Sequence, residues 1–171
     1  MTPRFCSQCA GPLEWRRLQD ERHLQLVCPR CGHVEWQNPK PTASALITRR
    51  VDAGPTEVLL VRRAIPPRLG TWDTPGGFID PDEHPEQALR RELREELGVE
   101  AEIGPLVGIF MDRYGDDGES TLNIYYQVVL GAAALVPASD VSEARWFPLD
   151  GLPEDIAFAN NQAALRTLAR R

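Results

Sequence analysis

No apolar run in the 171 residues approaches the ~20 residues needed to span a bilayer. The first residues, MTPRFCSQC, lack the apolar core of a secretory signal, so the expected compartment is the cytoplasm and no membrane role is expected. There is no excess of positive charge. Nineteen Lys and Arg face 25 Asp and Glu, a net charge of −6. That weighs against a general nucleic-acid coat, which would be basic. An anionic small substrate stays open, because metal ions and a few local arginines reverse the field within one cleft. Internal repeats and low-complexity segments are absent, and no cysteine follows residue 31. What remains is 42% hydrophobic and 26% charged, the balance of a soluble globular chain. The length fits one domain of ordinary size plus a small module.

The small module is where the cysteines are. Cys6-x-x-Cys9 and Cys28-x-x-Cys31, with 18 residues between the pairs, have the spacing of a four-thiolate tetrahedral zinc site. Gly32 directly after Cys31 suits a tight turn, and Gly11 lies two residues after Cys9. LEWRRL and HLQLVC alternate as short strands, and HVEWQ offers a third, the layout of a zinc ribbon. So short a segment buries little core, and bound metal supplies much of its folding free energy. Two disulfides would need an oxidising compartment. A redox CxxC usually opens a helix in a βαβ unit. Four thiolates close the site, so no catalysis is expected there. His33 could compete for the metal, but the cysteines suffice, and His23 reads as an exposed strand residue.

Asn38-Pro39-Lys40-Pro41 marks the boundary, since two prolines in four residues disfavour a continuous element. The chain therefore divides into a ribbon at 1–38 and a larger domain at 39–171. In the latter, TASALITRR and EVLLVRRA read as neighbouring strands, followed by a loop, AIPPRLGTWDTPGGF, in which Gly76-Gly77 lets backbone approach a bound group. A helix starts near Pro85 and stops at Gly98, with Ala88, Leu89, Leu93 and Leu97 as its apolar stripe. EIGPLVGIFMDRYG, STLNIYYQVVLGA and ARWFPL read as strands, and ANNQAALRTLARR as an amphipathic helix with Ala164, Leu165 and Leu168 inward. The order predicts α/β layers around a mixed sheet.

The first helix carries an electrostatic anomaly. Glu92, Glu95 and Glu96 share one face at i, i+3 and i+4. Like charges at i,i+4 destabilise a helix by roughly 0.2–0.5 kcal/mol per pair. A divalent cation is the natural compensation, and oxygen donors without Cys or His suit Mg²⁺ or Mn²⁺.

Gly77, five residues, Glu83, seven residues, then Arg91-Glu92-Leu93-Arg94-Glu95-Glu96-Leu97-Gly98-Val99 resembles the Nudix box, Gx5Ex7REUxEExGU with U aliphatic. All nine specified positions over 23 residues match. The family usually has Gly just before the first Glu, where this chain has Asp82. A zinc ribbon, an Asn-Pro-Lys junction and this box together resemble the FAD/ADP-ribose pyrophosphatase subgroup. Ribbon-bearing NADH pyrophosphatases carry a Ser-Gln-Pro-Trp-type motif after the box, and this chain has none.

The resemblance implies an α/β/α sandwich and hydrolysis of a nucleoside diphosphate linked to another group. It implies Glu92, Glu95 and Glu96 as metal ligands, joined by the Gly77 carbonyl, with Glu83 and Arg91 supporting them. ADP-ribose or FAD is the leading substrate. NADH or a nucleoside triphosphate is the alternative, and a silent nucleotide-sensing or RNA-binding adaptor is the reading from another class. Arg62 or Arg63 at a strand end could face the phosphates, and Gly76 and Gly77 approach them. The general base is one of the box glutamates or an acid from outside the box, for which Glu143, Asp116, Asp117 and Glu119 are candidates. Trp72, Phe110, Tyr114, Tyr125 and Phe158 are candidates for stacking a base. Dimers are common among relatives that cleave ADP-ribose, so a homodimer is expected.

Overall fold

The computed structural model describes residues 2–19, 21–52, 54–115, 118–131 and 134–170. Asp116 and Asp117 lie outside the described residues. The chain divides into two compact units, Met1–Pro39 and Lys40–Arg171.

In the first unit, β1 (Glu14–Arg17), β2 (Leu24–Val27) and β3 (Val34–Glu35) form an antiparallel sheet in that order. Its buried apolar residues among those described are Cys6, Leu26, Val27 and Cys28, too few for an independent core. Two tight turns present the thiols. Cys6 N donates to Gly11 O at 2.8 Å, and Cys28 N to His33 O at 2.8 Å. In each turn the residue after the second cysteine is left-handed, Ala10 at φ 55° and Gly32 at φ 76°. Gly32 serves the turn, whereas Gly11 lies where a Cβ would press on Cys28 Sγ at 3.3 Å.

The second unit is built on a mixed sheet in the order β10 (Val141–Pro148), β5 (Thr56–Arg63), β4 (Lys40–Arg50), β9 (Ser120–Leu130), β8 (Ala101–Arg113). Strands β4 and β9 run parallel; the other pairings are antiparallel. Alternation along β4 and β5 sorts the two layers. Ala45, Ile47, Leu59 and Val61 pack beneath helix α1 (Pro85–Leu97), against Ala88, Leu89, Leu93 and Leu97. Leu46, Val58, Leu60 and Tyr125 pack on the other face against Ala164, Leu165 and Leu168 of α2 (Ala159–Leu168). Each fully buried leucine contributes roughly 1.5–3 kcal/mol. This is the expected α/β/α arrangement, with both apolar stripes facing inward.

One edge of β4 is shared. Thr48–Arg50 pairs with β5, whereas Thr42–Ser44 pairs with the short strand β7 (Gly76–Phe78). Between them Ala45 N donates to Pro75 O at 2.8 Å. The sheet therefore splits, and the glycine turn enters the split directly beneath α1. Asp82, at φ 63°, takes the left-handed conformation that glycine usually occupies and that Asp tolerates. The helix is then capped by His84, whose Nδ1 accepts from Glu86 N at 3.3 Å while Gln87 Oε1 accepts from His84 N at 3.1 Å. Gly98 at φ 67° closes the other end. Among the described residues no helix is long and apolar enough to cross a membrane.

Candidate active site

A cavity of about 290 Å³ opens at the split of the sheet. Gly76, Gly77, Arg91, Glu92, Asp140 and Arg63 line one part of it, and Tyr114, Phe158, Asp112 and Asn160 another.

The glycine turn and the acidic helix meet closely. A Cβ on Gly77 would sit 2.5 Å from Glu92 Oε1, and one on Gly76 only 2.2 Å from Ala43 O. Gly76, at φ 133°, turns its N–H to Glu96 Oε2 at 2.9 Å. Glu96 is only 4% exposed. Burial pushes its carboxyl well above the ordinary value, the Gly76 N–H opposes that, and Asp140 and Glu92 add to it. Glu92 is raised too, first by burial, with Arg91 working against the shift. Glu95 differs, with its side chain 52% exposed and held by Arg91 Nη1 at 3.3 Å. The three glutamates thus share a helix face but not an environment.

Arg91 braces this group. Its Nε and Nη2 donate to the two Glu83 carboxylate oxygens at 3.1 and 3.0 Å, a bidentate pair. Its Nη1 reaches Glu92 Oε1 at 2.7 Å, and Nη2 also reaches Phe78 O at 3.0 Å. The Arg91 hydrogen bonds hold Glu83 below its ordinary carboxyl value, and Glu83 in turn raises Arg91.

Two adjacent arginines part company because strand side chains alternate. Arg63 lines the cavity and donates to Asp73 Oδ2 at 2.8 Å and Tyr114 Oη at 3.1 Å. Arg62 does not line it; its Nε donates to Gly70 O at 2.8 Å, and it lies 3.6 Å from Glu143. Glu143 sits with Arg62 and Arg145 at the pairing of β10 with β5, away from the cavity lining. Glu119 pairs with Lys40, also outside the lining. Of the aromatic candidates, Tyr114 and Phe158 line the cavity and stack on each other at 5.7 Å. Trp72 and Tyr125 are core residues, at 5% and 0% exposure, and Phe110 packs edge-on against Tyr125.

Sequence reasoning missed Asp140, three residues before Glu143, which lies near enough to Glu92 and Glu96 to raise both. It also missed Asn160 and Asn161, buried polar residues at the start of α2. Nothing in local spacing marks these three. The burial of Asn160 and Asn161 follows from the long-range packing of α2 on the sheet, and Asp140 reaches the site from just before β10.

Both metal hypotheses can be weighed on donor chemistry. The four cysteine sulfurs lie within 4.8 Å of one another. Such crowding resists four simultaneous negative charges: Cys28 is lowered to about 6 and Cys31 raised to about 12. In Cys28 burial acts upward and the Cys31 and Arg30 backbone N–H groups reverse it. A soft divalent cation relieves this repulsion, so the set fits a structural metal. The glutamates do not converge as closely; among the described residues only the cysteines form such a group. Glu92 and Glu96, two carboxyls raised first by burial and then by neighbouring carboxylates, nonetheless suit a hard divalent cation.

Comparison with known families agrees with this geometry. The NUDIX domain model matches residues 38–168, and the Nudix N-terminal zinc-ribbon model matches residues 4–37. The chain belongs to the Nudix family. An NAD-capped RNA hydrolase NudC of Pseudomonas aeruginosa is 34% identical over 154 residues, 88% of this chain and 49% of that protein. An ADP-ribose pyrophosphatase of Methanocaldococcus jannaschii is 30% identical over 98 residues, 57% of this chain and 58% of that protein. The chain spans about half the length of these curated relatives. A crystal structure of a NUDIX hydrolase from Nitrosomonas europaea superposes with a TM-score of 0.78 at 28% identity, covering 96% of this chain and 89% of that one.

Proposed function

We propose that the chain is a metal-dependent hydrolase of the pyrophosphate bond in a nucleoside diphosphate derivative, with ADP-ribose as the leading substrate and FAD next. The observation that carries the reading is the pairing of buried Glu96 with half-buried Glu92 at the Gly76–Gly77 turn, braced by Arg91, in a cavity that also offers aromatic faces. A pyrophosphate is a poor electrophile because its negative charge repels water. Bound Mg²⁺ or Mn²⁺ would neutralise that charge and lower the pKa of a coordinated water. Glu92, Glu96 and Glu95 would hold the ion, with the Gly77 carbonyl as a further donor.

The residues around the ion have separate tasks. Glu83 fixes Arg91, and Arg91 fixes Glu92 in one rotamer. Arg63, held by Asp73, presents positive charge to the cavity for the phosphates. Asp140, which lines the cavity near Glu92 and Glu96, would take a proton from the attacking water, in preference to Glu143 and Glu119, which lie outside the lining. Zn²⁺ in the ribbon is structural.

A second reading takes an NAD-type dinucleotide, free or at an RNA 5′ end. It is favoured by the 34% identity to the Pseudomonas relative across 88% of this chain. Incubation with Mg²⁺ and a panel of ADP-ribose, FAD, NADH, NAD-capped RNA and nucleoside triphosphates separates the readings by product analysis. AMP with ribose 5-phosphate is the expected product pair. Turnover of triphosphates alone would overturn both readings.

A further inference from the structure

Beside the cavity of the glutamates lies a second one of about 260 Å³. The two adjoin, since Asp112, Arg113 and Phe158 line both. The second cavity has the opposite charge chemistry. Two guanidinium groups line it, those of Arg68 and Arg113, and both residues are exposed, so an incoming group reaches them. Asp112 is the one carboxylate among the described lining residues. Both of its oxygens are engaged by backbone: Oδ1 accepts from Arg113 N at 2.8 Å and Oδ2 from Asn160 N at 2.8 Å. Arg113 is held in turn by its Nη1, which donates to Gly118 O at 3.1 Å.

The loop that presents Arg68 is fixed to the glutamate cavity through Arg63. Arg63 Nε donates to Pro67 O at 2.7 Å, its backbone N donates to Thr71 O at 3.0 Å, and Gly70 N donates to Arg63 O at 2.9 Å. Arg68 itself stands at φ 61°, a left-handed conformation uncommon for a side chain of this size, and Thr71 N and Oγ1 both donate to its carbonyl. The same loop touches the turn after Arg113, where a Cβ on Gly115 would meet Pro67 Cβ at 3.5 Å. The two arginines therefore close on one space from two directions. Tyr114 and Phe158 stand between Arg63 and that space: Arg63 Nη2 donates to Tyr114 Oη at 3.1 Å, and Phe158 stacks on Tyr114. A substrate whose pyrophosphate lies at the glutamates and Arg63 extends past this aromatic pair, and what it carries beyond them meets two guanidinium groups. Guanidinium forks match phosphate oxygens in charge and geometry, whereas an uncharged sugar needs neither.

We propose that the Arg68–Arg113 pocket is a second anion subsite, which takes a phosphate ester carried on a ribose of the substrate beyond the scissile pyrophosphate. The substrate class is then a nucleoside diphosphate derivative with one further phosphate, either a 2′- or 3′-phosphomonoester or the diester that joins a following nucleotide. The inference rests on the nucleoside diphosphate reading above, but its test reads binding, not hydrolysis.

The experiment is titration calorimetry with Mg²⁺ at low ionic strength. AMP is compared with adenosine 2′,5′-bisphosphate, adenosine 3′,5′-bisphosphate and the dinucleotide pApA. The wild-type chain is expected to bind at least one of the three about 10-fold more tightly than AMP, an advantage that shrinks as salt is raised. A gain with a bisphosphate assigns the subsite to a phosphomonoester, and a gain with pApA alone assigns it to the phosphodiester of a strand. Arg113→Gln and Arg68→Gln should each bring the ratio to within about threefold and leave the affinity for AMP unchanged. A purely structural arginine would weaken AMP and its phosphorylated relatives alike. Equal binding of all four ligands by the wild type, or a ratio retained in either variant, overturns the inference. Hydrolysis of the substrate panel with no phosphate preference overturns this inference alone. A phosphate preference with no hydrolysis overturns the hydrolase reading alone.

Discussion

Glu96 is the most deeply buried of the three glutamates on the helix face. Its carboxyl, raised well above the ordinary value by burial, keeps a proton in the folded chain that the unfolded chain has already lost. Stability that depends on this group is complete below the unfolded carboxyl value and is lost as pH rises through the folded one. Glu92 acts in the same sense. In magnesium-free buffer, Glu96→Gln should therefore raise the melting temperature of the second unit near neutral pH, with a shrinking gain toward acid pH. Melting curves of the two proteins across pH 5–8 check this; a variant that melts lower throughout would contradict it. Gly77 is the complementary case. Its missing Cβ is the space that Glu92 Oε1 fills. Gly77→Ala should displace that carboxylate and reduce kcat/KM by at least about 100-fold, since ~1 Å misplacements carry that cost. A value within twofold of wild type would show that the close approach is unimportant.

At the scale of elements, the split of β4 between β5 and β7 is what brings the glycine turn under α1. It depends on Gly76, whose φ of 133° and contact with Ala43 O leave no room for a side chain. Gly76→Ala should cost more than about 2 kcal/mol in urea unfolding, and a loss below half of that would place the turn elsewhere. Helix α1 was readable from its residues because its signals are local: Pro85 to start, Gly98 to stop, and four apolar residues on one face. The left-handed Asp82 and the His84 cap are local too, but neither residue type announces that role. The fork itself was not readable. It is a pairing of residues over 30 positions apart, and register follows from packing rather than composition. The same limit separated Arg63 from Arg62 and Asp140 from Glu143. One residue of strand alternation, and the bulged start of β10 between Val141 and Glu143, decide which side chain meets the cavity.

For the whole molecule, the two units have different sources of stability. The second unit carries two apolar layers around its sheet, whereas the first has a few buried side chains and four clustered thiols. A zinc-selective chelator should unfold the ribbon, seen as loss of its amide resonance dispersion, and leave the main thermal transition of the second unit in place. Metal analysis should find about one zinc per chain. The central claim, however, is that the acidic pair under the glycine turn drives metal-assisted cleavage of a pyrophosphate. The most direct measurement is product formation from ADP-ribose by the wild-type chain and by Glu92→Gln, each desalted and then titrated with Mg²⁺. The account predicts AMP and ribose 5-phosphate from the wild type only when Mg²⁺ is present, and almost none from the folded variant at any Mg²⁺ concentration. Metal-independent turnover, or equal turnover by the variant, would contradict it.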